Sequence, residues 1–211
     1  MGHIVDDSDL VCQACAGNAD ALGELLDVCR PRLKRMLQVR ADPRVASRFD
    51  SSDVIQETCI EVTHRLQEYV ADAKVPFFVW LRFLTLQKLA AFHRRHLAAQ
   101  KRTAARDVAL PGFNSPQASS EYLAMQLLGE ATSPSQALIR EEMKGQLMTV
   151  LDEMNPIDRE ILCLRHFEQL TNIEAAAVLE LNPSAASSRY VRALAHLKEA
   201  LSHLPGFLDE S

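Results

Sequence analysis

Two short runs of the chain could hold a metal or move a proton, Cys12-x-x-Cys15 and His93-Arg94-Arg95-His96. A dithiol needs a second pair of ligands to close a tetrahedral zinc site, and no such pair follows at a metal-site spacing. An H-x-x-x-C-x-x-C pattern is not completed, because position 8 is Ser. His93 and His96 stand three residues apart in a basic stretch that offers no carboxylate to orient them. No glycine-rich phosphate loop or nucleophile triad can be read in the sequence. No catalytic residue, metal site or cofactor is therefore expected, and the chemistry left is that of binding.

The strongest binding signal is local charge. The chain has a formal net charge of −5, yet residues 73–106 carry 8 basic groups (Lys74, Arg82, Lys88, Arg94, Arg95, Lys101, Arg102, Arg106) and no acidic one. Residues 1–72 carry 8 basic and 13 acidic groups, and residues 107–211 carry 7 and 15. A cationic block set in an acidic protein is the footprint expected for a phosphate backbone. Phe77 and Trp80 lie in the same block, so the basic segment reads as a helix with aromatics interleaved.

The elements that must position these groups read as helices. Aromatics are few and Ala and Leu outnumber the β-branched residues, which favours an all-α fold. Five cysteines (Cys12, Cys15, Cys29, Cys59, Cys163) are scattered and mostly flanked by apolar neighbours, as reduced thiols filling a core would be. No run of 18 apolar residues occurs, and the N-terminus lacks the basic start and apolar stretch of an export signal, so a cytoplasmic protein without membrane insertion is expected.

Ser8-Asp9 predicts the start of a first helix that ends at Gly17. A second runs from about Asn18 through Leu22, Leu25, Leu26, Cys29, Leu33, Met36 and Leu37, with Pro31 expected to kink or divide it. Ser51 or Ser52 is expected to cap a third, with an apolar stripe of Ile55, Cys59, Val62, Leu66 and Tyr69 or Val70 and an acidic opposite face. After a break, Pro76 precedes one long helix over Phe77–Leu97, with Phe77, Trp80, Leu81, Leu84 and Leu89 toward a core and Arg82, Lys88, Arg94 and Arg95 elsewhere.

Residues 99–135 hold Pro111-Gly112, Ser115-Pro116 and Ser133-Pro134 without a sustained period and read as a linker, with room for one short helix at Tyr122–Leu128. Periodic sequence resumes at Gln136–Met154. Asn155-Pro156 and Thr171 then open two further helices, and Asn182-Pro183 opens a last one reaching Leu204. The turn Leu181-Asn182-Pro183 is so short that the last two helices must cross, and Ala175, Ala176 and Ala177 suit a close approach, as in a helix-turn-helix. The second helix of that motif enters the major groove. Here it offers Ser184, Ser187, Ser188, Arg189 and Arg192, which can pair with base edges or phosphates, while Tyr190, Leu194, Leu197 and Leu201 form the expected inward stripe.

Taken together, these segments resemble the extracytoplasmic-function group of bacterial sigma-70-type RNA polymerase sigma factors over nearly the whole chain. Asp53-Val54-Ile55-Gln56-Glu57 is similar to the D-x-x-Q-E of the family's region 2.2, and Phe78-Val79-Trp80-Leu81-Arg82 with Arg94-Arg95 to regions 2.3 and 2.4. Asn155–Leu162, Leu164–Phe167 and Ser188–Leu194 resemble region 4. The resemblance implies two small helical domains: residues 1–98 like sigma region 2, 99–135 as linker, and 136–211 like region 4.

It also implies partners and roles. Asp53, Gln56, Glu57 and Glu61 would dock on the clamp helices of the polymerase β′ subunit, with the β flap as a second contact. Lys74, Trp80, Arg82, Gln87, Lys88, Arg94 and Arg95 would open and hold the −10 element, and Ser184, Ser187, Ser188, Arg189 and Arg192 would meet the −35 element. An anti-sigma factor is a further candidate partner. Two positions depart from the family pattern: Gln87 and Ala91 stand where members often have Asn and Asp, and Ser187 where a basic residue often precedes the Ser-Arg pair, so the family's promoter preference does not carry over. The alternative is a helix-turn-helix regulator acting without core polymerase. It would need a sensor or dimerisation segment, whereas the first 98 residues resemble polymerase-docking helices.

Overall fold

The computed structural model of the chain describes residues 7–42, 49–98, 120–128 and 134–202. Among these the protein is helical with no strand, and it divides into two compact units, Met1–Pro116 and Gln117–Ser211.

The first unit is built from α1 (Asp7–Cys15), α2 (Ala19–Arg40), α3 (Ser51–Ala71) and α4 (Phe77–Ala98). Asn18 starts α2 by accepting the backbone N–H groups of Asp20 and Ala21 at 3.0 and 3.2 Å, as a helix N-cap should. Pro31 does not divide α2, which runs on as one helix. Leu25, Leu26 and Cys29 before it and Leu33, Met36 and Leu37 after it are buried in the same core, so both halves are held in line, and the exposed proline lies on the solvent side. α3 is capped by Asp50, whose carboxylate accepts Ser52 N–H at 2.7 Å, and not by Ser51 or Ser52.

α4 is buried on two flanks. Leu81, Leu84 and Leu89 are fully enclosed, and Phe77, Phe78, Val79 and Leu86 nearly so. The helix packs against both α3 and α2, and this double contact encloses Arg82 as well. The Arg32 guanidinium lies 3.6 Å from the centre of the Phe78 ring, a cation–π contact joining α2 to α4.

The second unit contains α5 (Ser120–Leu128), α6 (Pro134–Glu153), α7 (Pro156–Leu162) continuing into a π-helical turn at Cys163–Phe167, α8 (Asn172–Val178) and α9 (Pro183–Ser202). α5 lies inside the segment read as linker, yet it buries Leu123 and Ala124 completely. Nine residues are too few for a stable isolated helix, so α5 owes its form to docking on α6. Ser120 Oγ donates to Asp152 Oδ1 at 2.5 Å, Arg159 donates to both, and Lys144 pairs with Glu121 at 2.9 Å. Residues 120–128 thus belong with the second unit.

α8 opens on a capping box, with Thr171 Oγ1 accepting Glu174 N–H at 3.2 Å and Glu174 Oε2 accepting Thr171 N–H at 2.7 Å. It ends at Val178, before the turn read at Leu181-Asn182-Pro183, because the chain reverses at Glu180 with φ of 54°. A side chain in this left-handed region costs roughly 1–2 kcal/mol that glycine avoids. Glu180 is exposed. Glu180→Gly is therefore expected to raise the stability of the second unit by up to about 1 kcal/mol, some of the gain being offset by glycine's extra freedom in the unfolded chain. The check is a thermal melt, in which an upward shift of about 4–8 °C corresponds to that gain; an unchanged or lowered midpoint would show the turn to be unstrained.

Candidate nucleic-acid and polymerase interfaces

In the first unit the candidate residues fall on two neighbouring helices whose charges are opposite. Glu61 Oε2 meets Lys88 Nζ at 2.8 Å, and Glu57 Oε1 meets Arg95 Nη2 at 3.5 Å. The lower-numbered carboxylate faces the higher-numbered cation, so α3 and α4 run antiparallel and the two ion pairs are rungs of one ladder. The Lys88 ammonium, bonding and attracting the Glu61 carboxylate, holds its carboxyl below the ordinary range. Two residues expected to face polymerase are thus tied to two expected to face DNA.

Asp53, Gln56 and Glu57 are exposed on α3, as the sequence predicts. Ile60, three and four residues beyond Glu57 and Gln56, is 61% exposed on the same face. Sequence reasoning followed the buried stripe and passed over it, although its spacing from Gln56 places it on the polar side. The buried set of α3 is Val54, Ile55, Thr58, Val62, Leu66 and Tyr69, whereas Val70 is exposed and Cys59 only partly buried.

The −10-side candidates separate. Lys74 stands exposed on the α3–α4 loop and pairs with Asp72 at 2.7 Å. The loop is closed by an aromatic cluster: Tyr69 lies 5.6 Å from Phe77 and 5.0 Å from Trp80, Phe77 lies 5.7 Å from Trp80, and Tyr69 donates its hydroxyl to Val75 O at 3.1 Å. Burial pushes the Tyr69 phenol up. Trp80 is set in this cluster and half-buried, and it fixes the loop. Arg82 is 4% exposed and belongs to the interior, which removes it from the residues that can reach nucleic acid. Gln87 and Arg94 are exposed. His93 accepts the backbone N–H of Asp42 at 3.2 Å, a structural contact joining the end of α2 to α4.

The second unit presents its candidates on α9. Asn182 Oδ1 accepts Ala185 N–H at 2.7 Å, and Asn172 donates to Pro183 O at 2.8 Å, so the starts of α8 and α9 are fastened together. Ala175 and Ala176 of α8 and Ala186 and Ala193 of α9 are buried, which lets the two helices approach closely. The inward stripe of α9 is Ala186, Ala193 and Leu197, with Tyr190 and Leu201 partly buried; Leu194, expected inside, is exposed. Ser184, Ser187, Ser188 and Arg192 are exposed. Val191, 61% exposed, shares the face of Ser184, Ser187 and Ser188 and was not anticipated. Arg189 is turned to α7, where its guanidinium donates to Asp158 Oδ1 at 2.8 Å.

The cysteines are free thiols: Cys29 and Cys163 are buried, Cys15 and Cys59 partly so, and Cys12 is exposed, so only some fill the core. Burial, with Cys12 alongside, pushes the Cys15 thiol up. Among the described residues no group of three or more His, Cys, Asp or Glu side chains is arranged to hold a metal ion, and no helix is long and apolar enough to cross a membrane.

Two helical units, one with a helix-turn-helix offering serines and arginine and one with adjoining acidic and basic faces, define a DNA-binding transcription protein. The comparisons give its relatives. The family described as Sigma-70, region 4, matches residues 144–197. The chain is 29% identical over 192 residues to the ECF RNA polymerase sigma factor SigD of Mycobacterium tuberculosis, covering 91% of this chain and 82% of that one. It is 26% identical over 198 residues to the RNA polymerase sigma factor CnrH of Cupriavidus metallidurans, covering 93% and 95%. The solved structure of CnrH in complex with the cytosolic domain of CnrY shares the fold, with a TM-score of 0.51 at 23% identity over 93% of this chain and 97% of that one. The relatives identify an RNA polymerase sigma factor, similar over most of its length to the extracytoplasmic-function group of the sigma-70 family.

The Arg189–Asp158 pair makes Arg189 a strut between α7 and α9. Its side chains are 29% and 25% exposed, so the pair is shielded in part only, and a coupling of about 0.5–1 kcal/mol is expected. A double-mutant cycle of Arg189→Ala and Asp158→Ala in urea unfolding measures it. Zero coupling would release Arg189 from this role and return it to the DNA-facing set.

Proposed function

We propose that the first unit, over about residues 1–98, docks on core RNA polymerase through α3 and holds the opened −10 element along α4, while the second reads the −35 element through α9. The observation that carries this reading is the antiparallel α3–α4 pair, which sets an acidic face with Ile60 at its centre beside a helix free of acidic residues. A polymerase-docking face is proposed for Asp53, Gln56, Glu57, Ile60 and Glu61. An apolar side chain ringed by polar groups is the anatomy of a binding hot spot.

Lys74, Gln87, Lys88, Arg94 and Arg95 are proposed for the −10 side, and Ser184, Ser187, Ser188 and Arg192 for the −35 side. Val191 joins the latter, since an exposed valine among serines suits the methyl of thymine. The β′ clamp helices and β flap of the polymerase and promoter DNA are the proposed partners, and the protein acts in the cytoplasm by binding, with no catalytic step of its own. CnrH has been solved in complex with the cytosolic domain of CnrY; a comparable protein, an anti-sigma factor, is proposed to restrain this chain.

The test is transcription from a library of genomic fragments by core polymerase with and without the purified protein. Promoter-specific transcripts that depend on the protein are expected; none, or a lowered output, would overturn the reading. Ile60→Asp and Glu57→Lys are expected to weaken core binding. Arg192→Ala should leave core binding intact and lower promoter affinity by about 1–3 kcal/mol if it contacts a base, as seen in a competition assay at fixed salt.

A further inference from the structure

Cys12 and Cys15 take no part in the interfaces described above. Cysteine is among the residues most often buried, and Cys29 and Cys163 follow that rule, whereas Cys12 is exposed and Cys15 only partly buried. The two thiols stand three positions apart on α1, on one face of the helix. Helix geometry sets their Cα atoms about 5 Å apart, inside the range a disulfide spans, and their Cβ atoms about 5–6 Å apart, wider than a bridge by about 1–2 Å.

The closing movement falls on the end of the helix. Cys15 is the last residue of α1, and the chain leaves it through the exposed Ala16 and Gly17, with Gly17 in the left-handed region at φ of 94°. Ala16 N–H donates to Cys12 O at 3.0 Å, so the turn to be tightened is the one that spans the two cysteines. A bridge drawn together in this way is more reducible than an unstrained one, and in a reducing compartment disulfides are transient and catalytic or redox-sensing.

Cys15 also connects to the rest of the unit. α1 packs on α2 and touches α3. Burial, with Cys15 nearby, pushes the Tyr69 phenol up. Tyr69 contacts Phe77 and Trp80 and donates its hydroxyl to Val75 O, so the Cys15 thiol lies near the cluster that closes the α3–α4 loop. Trp80 is the only tryptophan of the chain.

We propose that Cys12 and Cys15 are a modification site, at which hydrogen peroxide forms an intramolecular disulfide that a dithiol reductant reopens, and that closure is felt at the Tyr69–Trp80 cluster. The thiolate is the attacking form of a cysteine. The exposed Cys12 sulfur attacks one oxygen of the peroxide; the S–O bond forms, the O–O bond breaks, and the departing hydroxide takes up a proton and leaves as water. Cys12 is thereby oxidised to a sulfenic acid and the peroxide is reduced. The Cys15 sulfur then attacks that of Cys12; the S–S bond forms, the S–O bond breaks, and the hydroxyl leaves with the Cys15 proton as a second water. Burial, with Cys12 alongside, pushes the Cys15 thiol up, which gives the first attack to Cys12.

The experiment treats the full chain with hydrogen peroxide, blocks the remaining thiols with iodoacetamide and reads the linkages by peptide mass mapping without reductant. A Cys12–Cys15 link within one chain is expected, with loss of alkylation at both positions and recovery on adding dithiothreitol. Trp80 fluorescence should shift as the link forms and return as it opens. Cys15→Ser removes the second thiol, so Cys12 should accumulate as a sulfenic acid trapped by dimedone, with Trp80 emission unshifted. Cys12→Ser should leave Cys15 reduced at the same exposure. Cys59→Ser, which removes another partly buried thiol of the unit, should behave as the wild type does.

Full alkylation of Cys12 and Cys15 after an exposure that oxidises a short Cys-x-x-Cys peptide would overturn the site. So would links formed only to other cysteines or between two chains. A Cys12–Cys15 link that leaves Trp80 emission unmoved, or an equal shift in Cys15→Ser, would overturn the connection to the α3–α4 loop. None of these readouts involves polymerase or DNA, so the site is tested apart from the roles proposed for α3, α4 and α9.

Discussion

A helix that must present cations on one side and lock into an apolar core on the other needs something to hold its charged rows in phase, and in the first unit that is the ladder between α3 and α4. Glu61 to Lys88 and Glu57 to Arg95 are partly exposed pairs, each worth little to stability in water. Their weight lies in register. With Leu81, Leu84 and Leu89 enclosed, a rotation of α4 that moved Lys88 off Glu61 would also carry leucines toward solvent. The packing and the ion pairs thus agree on one orientation, and that orientation puts Gln87 and Arg94 outside. The aromatic cluster of Tyr69, Phe77 and Trp80 extends the same constraint to the α3–α4 loop and so places Lys74.

The second unit fixes α9, the helix proposed to face DNA, by another route. Its contacts are short hydrogen bonds at helix ends and small side chains between helices: the Thr171–Glu174 box, Asn172 on Pro183 O, Asn182 on Ala185 N–H, and the buried alanines of α8 and α9. Caps set where a helix starts and alanines set how near two helices lie, but neither sets rotation about the axis of α9. The Arg189–Asp158 contact supplies it, together with Arg165, whose guanidinium lies 5.4 Å from the Tyr190 ring. Serines and Arg192 are left to the solvent face as a consequence.

These differences explain what could be read from the sequence. Helix starts marked by Asn18, Asn155 and Thr171 were legible because a cap is a local event between residues two or three apart. The α3 face was legible because its charges alternate cleanly with a buried stripe. α4 was not, since from Phe77 to Leu86 apolar residues occur on every side and no period fixes the phase; Arg82 was placed outside, and packing against two helices reverses that. Pro31 failed to divide α2 because core contacts on either side outweigh one lost hydrogen bond. On α9, Ala193 faces inward in place of Leu194, in line with the buried Ala186 and Leu197 seven residues before and four after it. α5 could be suspected from its pattern, but that it docks depends on contacts with Asp152, Lys144 and Arg159, 23 to 39 residues away.

The cationic block that first suggested a nucleic-acid partner has a different meaning in three dimensions. Its eight positive charges look unopposed when counted along the chain. In the folded unit Lys74 meets Asp72, Lys88 meets Glu61, Arg95 meets Glu57 and Arg82 is buried, while Arg94 has no ion pair among the described residues. Phosphate affinity grows with the number of cations that can release counterions from DNA, and carboxylates already in place reduce that number. Because the carboxylates of two of those pairs also lie on the α3 face proposed for polymerase, a partner that engages Glu57 and Glu61 would loosen their hold on Arg95 and Lys88. Docking on one face and phosphate binding on the other would then be linked through side chains that touch directly.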